Sequence, residues 1–268
     1  ASCLVGSEMC IRDRLLAACG SDGSPAANQK EVKFGEIMNK GKQVSFIVNN
    51  EDGLDKPSDD NKITKYIVSK NGKYTAYQSD RNTRFGEVKD KSFDEIVKMA
   101  KDQDKQFFEK EKNNEIYDLE RFRDNFLEEF SGEKVERKIK RVNENVKELK
   151  KEKYKEPETK DLKIEVETGD NNKEPKLERF YVGARFFKDD FDKSDTGKVK
   201  YMNTADELKN LNNAFTDGAY TMSEGDNTFA YLKDLDDNDN FLVTKVGEKA
   251  EKSVLDEPNS KYVKKVKE

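Results

Sequence analysis

Apolar positions recur along this chain at two spacings, and each change of spacing predicts an element. Lys42–Asn49 alternates enough for a strand, and a polar loop holding Gly53 and Pro57 follows it. Lys62–Ser69 and Lys73–Gln78 read as two further strands joined by Lys70-Asn71-Gly72. Asn-Gly between β-rich runs is the strongest short hairpin signal, because both turn residues must adopt positive φ. The period then lengthens. Ser92-Phe93-Asp94-Glu95 is a capping box, and Phe93, Ile96, Val97, Ala100, Phe107 and Phe108 fall on one helical face that suits covering the three strands. Ile116, Leu119, Phe122, Phe126, Leu127 and Phe130 predict a second helix over 116–130, which Gly132 breaks. Val135, Ile139, Val142, Val146 and Leu149 follow at alternating spacings of four and three. That seam covers barely two heptads, too short for a coiled coil, and predicts a helix over 133–153 that packs within the chain or joins two domains.

Beyond Pro157 the period returns to two. Leu162, Ile164 and Val166 alternate with charged residues, a turn at Gly169–Asn172 leads to a strand over Leu177–Phe187, and Lys198–Met202 predicts another. Thr204-Ala205-Asp206-Glu207 is a second capping box, opening a short helix through Phe215. Strands are expected at Ala219–Ser223, Thr228–Lys233, Phe241–Val246 and Tyr262–Val266. The expected fold class is α+β: a small antiparallel sheet with helices, followed by a mainly antiparallel β domain. The expected division is a leader over 1–18, a flexible tether over 19–30, an N-terminal α+β domain with a helical connector over 31–155, and a C-terminal β-rich domain over 156–268. Phe34-Gly35-Glu36-Ile37 and Phe85-Gly86-Glu87-Val88 are nearly the same tetrapeptide. Chance and a duplicated turn explain that equally well.

Composition narrows the chemistry. Charged residues make up 40% of the 268 and hydrophobic ones 33%, so the sixteen Phe and ten Tyr must carry thin aromatic cores. The net charge of -5 comes from interleaved signs, which argues against a dedicated nucleic-acid protein. The chain has no His, which excludes Ser-His-Asp and Cys-His catalysis and imidazole metal sites. Carboxylates are too abundant for spacing to pick out a catalytic pair. Neither a phosphate-binding Gly loop nor a Gly-x-Ser-x-Gly elbow occurs.

Cys3, Cys10 and Cys19 are the three cysteines, crowded into a span that supports neither zinc nor a disulfide framework. Leu15-Leu16-Ala17-Ala18-Cys19-Gly20 resembles the lipobox of bacterial lipoprotein signal peptides, in which small residues fit a signal peptidase and the Cys sulfur takes a diacylglycerol. Ser21–Asn28 is small and polar, as expected of a tether. A secretory signal needs an apolar run of about 7–15 residues before the cleavage site, yet Glu8, Arg12, Asp13 and Arg14 interrupt it. Leu4–Arg14 resembles the translation of a sequencing-library adapter. On that reading residues 1–14 replace the true start and most of the apolar run, and Cys3 and Cys10 carry no meaning.

Together, the lipobox and the Lys/Asn/Asp/Glu-rich composition resemble surface lipoproteins of low-GC Gram-positive bacteria, staphylococcal in character. The resemblance implies export, lipid attachment at Cys19 and display at the outer face of the cell membrane. Two acyl chains anchor stably where one is marginal. The expectation is a non-enzymatic module that binds a protein, peptide or cell-wall ligand, with no cofactor, no metal and no nucleic acid. A solute-binding lipoprotein of a transporter and a carboxylate-based wall hydrolase are the alternatives. Asp234–Asn240 invites calcium, but a twelve-residue EF-hand loop counted from Asp234 has Asp239 where Gly is required and Lys245 where Glu is required. It reads instead as a hairpin loop, and Asp189–Gly197 is equally weak. Lys134–Lys155 carries ten Lys/Arg against four Glu, which suits a solvated face better than an anionic lipid or polymer site. Phe180, Tyr181, Phe186 and Phe187 could line a groove, although core packing explains them more simply.

Overall fold

The computed structural model describes residues 23–50, 52–129, 131–169, 173–188, 199–204, 215–234 and 240–267. Its strands are β1 (Glu31–Lys33), β2 (Lys42–Asn49), β3 (Ile63–Lys70), β4 (Lys73–Gln78), β5 (Lys160–Asp161), β6 (Ile164–Thr168), β7 (Pro175–Phe180), β8 (Ala184–Lys188), β9 (Lys200–Thr204), β10 (Phe215–Glu224), β11 (Asn227–Asp234), β12 (Asn240–Val246), β13 (Lys252–Val254) and β14 (Val263–Lys267). The helices are α1 (Phe34–Asn39), α2 (Phe93–Glu129) and α3 (Glu133–Lys151). The fold is α+β, built on a large antiparallel sheet.

That sheet has seven strands in the order β10-β11-β12-β2-β3-β4-β5. The β3–β4 hairpin turns at Asn71 (φ 49°) and Gly72 (φ 77°), the two positive φ values that the Asn-Gly pair predicts. The decisive joint is β12 against β2, with Asn240 opposite Asn49 and Thr244 opposite Ser45. Strands from both sides of the expected 155/156 boundary therefore share one hydrogen-bonded sheet, and each side lacks half of it. A second sheet, β14-β6-β7, and two short pairs, β1-β13 and β8-β9, complete the β structure among the described residues.

Both faces of the large sheet are covered. On one, Val44, Phe46, Val48, Tyr66, Tyr77, Phe229, Phe241 and Val243 pack under Phe85, Val88, Ile96 and Ala100. On the other, Ile47, Ile67, Tyr74, Leu232 and Leu242 meet Phe34, Ile37 and Met38 of α1 and Ile164, Val166 and Phe180 of the second sheet. Strand β2 is buried on both faces, so its sequence alternates only imperfectly. Gln43, on a buried face, satisfies its amide with Thr244 Oγ1 and the Lys245 carbonyl.

Some elements differ from expectation. The helices expected over 92–108 and 116–130 are one 37-residue helix, α2. The intervening Glu109–Glu115 lacks Gly and Pro and includes strong helix formers, and Lys112 pairs with Glu109 one turn away. The strand expected over 177–187 is two, because β7 joins β6 while β8 turns to β9. Between them, Val182 enters the core and the Gly183 N–H donates to Tyr74 Oη at 3.2 Å. The seam of α3 packs within the chain: Val142, Val146 and Leu149 bury against Leu119, Ile116 and Phe122 of α2. The tether expected over 19–30 is corrected for its described part, since Ser24, Ala26 and Ala27 are buried and Gly23 bridges to Lys42 of β2. Small residues suit a tether, and the same smallness lets them pack against a sheet end. The helix expected after Thr204 lies outside the described residues.

Candidate functional site

Two charged clusters lie inside the fold. The first centres on Asp104. This residue falls on the same face of α2 as Ala100 and Phe108, four residues to either side, so the helix turns a carboxylate inward. Asp104 Oδ1 accepts the Gln78 N–H at 2.8 Å, and Oδ2 accepts Tyr154 Oη at 2.8 Å and pairs with Arg185 of β8. The guanidinium also donates to the Lys155 carbonyl and stands over the rings of Tyr154 and Tyr201, 5.4 and 5.0 Å from their centroids. Phe108 packs edge-on to both tyrosines. Burial raises the Asp104 carboxyl above its ordinary range despite the Gln78, Arg185 and Tyr154 donors, and burial also pushes Tyr201 up to about 12. Arg185 Nε and Tyr201 Oη have no hydrogen-bond partner among the described residues. The aromatic box is thus filled by the protein's own arginine, and its chemistry is to fasten α2, the 152–156 segment and the β8–β9 hairpin together.

The second cluster pairs Glu178 of β7 with Asp256, both 0% exposed. Asp256 caps α1 across the fold: Oδ2 accepts the Gly35 N–H at 2.6 Å, and Oδ1 accepts the Glu36 N–H at 3.1 Å and Tyr262 Oη at 2.6 Å. The local position before α1 is Lys33, which makes no side-chain cap, so a long-range carboxylate satisfies the free amides. Glu178 Oε2 accepts the Asp256 N–H at 3.1 Å, while Oε1 has no hydrogen-bond partner among the described residues. Burial first, and the Asp256 charge second, hold the Glu178 carboxyl well above its ordinary range. A carboxyl pair is what a hydrolase would need, but this one is sealed from solvent and holds a helix.

The two near-identical tetrapeptides now have a shared logic. Phe34 and Phe85 are both fully buried, in the cores on opposite faces of the sheet. Each following glycine admits an aspartate: a Cβ on Gly35 would lie 2.6 Å from Ile164 Cδ1 and 2.7 Å from Asp256 Oδ2, and one on Gly86 would lie 2.9 Å from Asp59 Cβ. Gly35→Ala is expected to destabilise the protein by about 2–3 kcal/mol, through overpacking and a stretched cap. Gly86→Ala should also destabilise, because Asp59, which accepts the Gly86 N–H and pairs with Lys89, would have to give way at its Cβ and backbone oxygen. Urea midpoints check both, and an unchanged midpoint in either variant would contradict the close approach there.

An accessible concavity lies on the helical hairpin. Leu127 of α2, 53% exposed, and Ile139 of α3 contribute the apolar surface of a shallow cleft of about 490 Å³. Glu136, Lys140, Glu144 and Lys147 give it a rim of both signs. Ile139 belongs to the α3 seam, and it remains half-buried where its seam neighbours are covered.

Cys19 lies outside the described residues, as do residues 235–239 of one acidic run and 189–197 of the other. The aromatic candidates do not form a groove. Phe180 meets Phe34 in one core, Phe187 packs on Phe108 and Tyr201, and Tyr181 donates to Glu165 at 2.6 Å. Among the described residues no group of three or more His, Cys, Asp or Glu is placed to hold a metal ion, and no helix is long and apolar enough to cross a membrane. Sequence reasoning missed both interior clusters. Asp104 carried a signal, a charge on an otherwise apolar helical face, while Glu178 and Asp256 carried none among so many carboxylates. The chain matches no protein-family model, no curated protein and no solved structure.

Proposed function

We propose that this chain is a lipid-anchored extracytoplasmic lipoprotein, acylated at Cys19, whose folded body is a non-enzymatic interaction module. The observation that carries the reading is the run Leu15-Leu16-Ala17-Ala18-Cys19-Gly20, four residues before the point where Gly23 joins the sheet. The proposed acyl acceptor thus stands four positions ahead of the packed body. The α2–α3 cleft supports the interaction role, because an apolar floor with a mixed-charge rim fits a protein or peptide partner better than a polar wall polymer.

The test is expression from a gene with its complete signal, with and without Cys19→Ala. The parent protein is expected in the membrane fraction, carrying an acyl mass increment at its amino-terminal Cys. The Cys19→Ala variant is expected to lose the increment and leave the membrane fraction almost entirely. A variant that is processed normally and stays with the membrane overturns the anchor.

A further inference from the structure

The exposed side of α3 carries its charges in an order that reads the same backwards with the signs exchanged. Glu136, Lys140, Glu144 and Lys147 follow one another at spacings of four, four and three, which keeps them on one helix face. All four are exposed, and they line the cleft beside Leu127 and Ile139. None of the four is ion-paired among the described residues, whereas Lys150 and Lys151 nearby pair with Glu120 and Glu148. Matching Glu136 with Lys147 and Lys140 with Glu144 centres both pairs within about half a position of Val142, or about 0.8 Å at the helical rise. Val142 is the middle residue of Glu133–Lys151. Just outside this stripe, Arg137 with Glu148 and Glu133 with Lys151 share the same centre. Such a helix is complementary to a second copy of itself laid antiparallel, with the two-fold axis at the level of Val142. A parallel copy in register would set each charge against its own sign.

We propose that the partner of the α2–α3 cleft is a second copy of this chain, with its α3 docked antiparallel against the first. The proposal rests on the reading of the body as an interaction module and names the partner. For Lys147 of one copy to reach Glu136 of the other, its four-carbon stem must cross the floor that Leu127 and Ile139 provide. The same contact therefore covers apolar surface and neutralises charge. The two-fold repeats it, giving four opposed pairs from Glu136, Lys140, Glu144 and Lys147 of the two copies. Ion pairs at an exposed rim contribute little each, so the dimer is weak in dilute solution and sensitive to salt. An anchor of the kind proposed at Cys19 would concentrate the chains on one surface and favour the pair.

The test uses the full chain as Cys19→Ser, so that acylation, which a mass measurement at Cys19 reads separately, does not enter. Sedimentation equilibrium at low salt is expected to show a monomer–dimer equilibrium for this parent, weakened severalfold by raised salt. E136K/E144K makes the stripe wholly basic, and K140E/K147E makes it wholly acidic. Each alone is expected to associate at least tenfold more weakly, from about twofold for each of the four opposed pairs. An equimolar mixture of the two should recover the dimer, because every opposed pair is then of unlike sign. Helical circular dichroism confirms that each variant is folded, and recovery on mixing guards against the same error. Leu127→Asp should weaken the dimer severalfold as well. A monomeric parent, folded variants that associate as the parent does, a mixture that fails to recover, or an unaffected Leu127→Asp overturns the proposal. A monomeric parent removes the second copy as partner without removing the interaction reading, which a cleft that takes a peptide or another protein still satisfies.

Discussion

Arg185→Met is expected to destabilise the protein by about 3–5 kcal/mol, because it leaves the Asp104 carboxylate buried without its counter-charge. In a chain of this size that lowers the melting temperature by on the order of 10 °C. The pair itself is worth less than this loss. Burial already raises the Asp104 carboxyl above its ordinary range with Arg185 in place, so desolvation outweighs the attraction. Much of the penalty therefore belongs to the orphaned carboxylate, and the double variant D104N/R185M should recover a substantial part of it. Urea denaturation of the two single variants and the double variant forms the cycle. A single-variant loss below about 1 kcal/mol, or strictly additive losses, would show that Asp104 finds water or another donor when Arg185 is removed. Near-ultraviolet circular dichroism should change as well, because the guanidinium stands over the rings of Tyr154 and Tyr201.

Glu178→Gln is expected to act in the opposite direction and to depend on pH. The folded protein holds the Glu178 carboxyl well above 4.5, whereas the unfolded chain releases that proton in the ordinary range. Between these two values the folded state binds more protons. The stabilisation is therefore fully present below the unfolded value and is lost as pH rises, by up to about 1.4 kcal/mol per pH unit, until the raised value is passed. A glutamine keeps an acceptor for the Asp256 N–H, adds a donor for the carboxyl cluster, and has no proton to lose. The parent should weaken steadily from about pH 5 upward, and the variant should lack that slope and be the more stable protein at pH 8. Urea midpoints at several pH values read this directly. Parallel curves for the two proteins would place the proton elsewhere.

Much of the local structure was legible in the residues. The Asn71-Gly72 turn, the Ser92–Glu95 cap, the Gly132 break and the α3 seam each depend on neighbours a few positions away, and each formed as its pattern predicts. The failures were of another kind. Leu177–Phe187 looked like one strand, because alternation cannot report that β7 and β8 pair with different partners. The small residues 24–27 looked like a tether, because smallness suits both a linker and a tight packing site.

The sequence by itself determined most of the places where helices and strands form, the resemblance of the Cys19 stretch to a lipobox and the exclusion of histidine chemistry, because each is a matter of residue type at short spacing. Tertiary structure decided the rest. Strand β12 meets β2 across roughly 190 residues, turning two apparent domains into one sheet. Asp256 caps a helix 220 residues away, so that two carboxylates among many become a sealed pair. In each case the physical cause is a contact between distant segments, whose energy depends on burial and on the charge placed opposite, and neither quantity is written in local sequence.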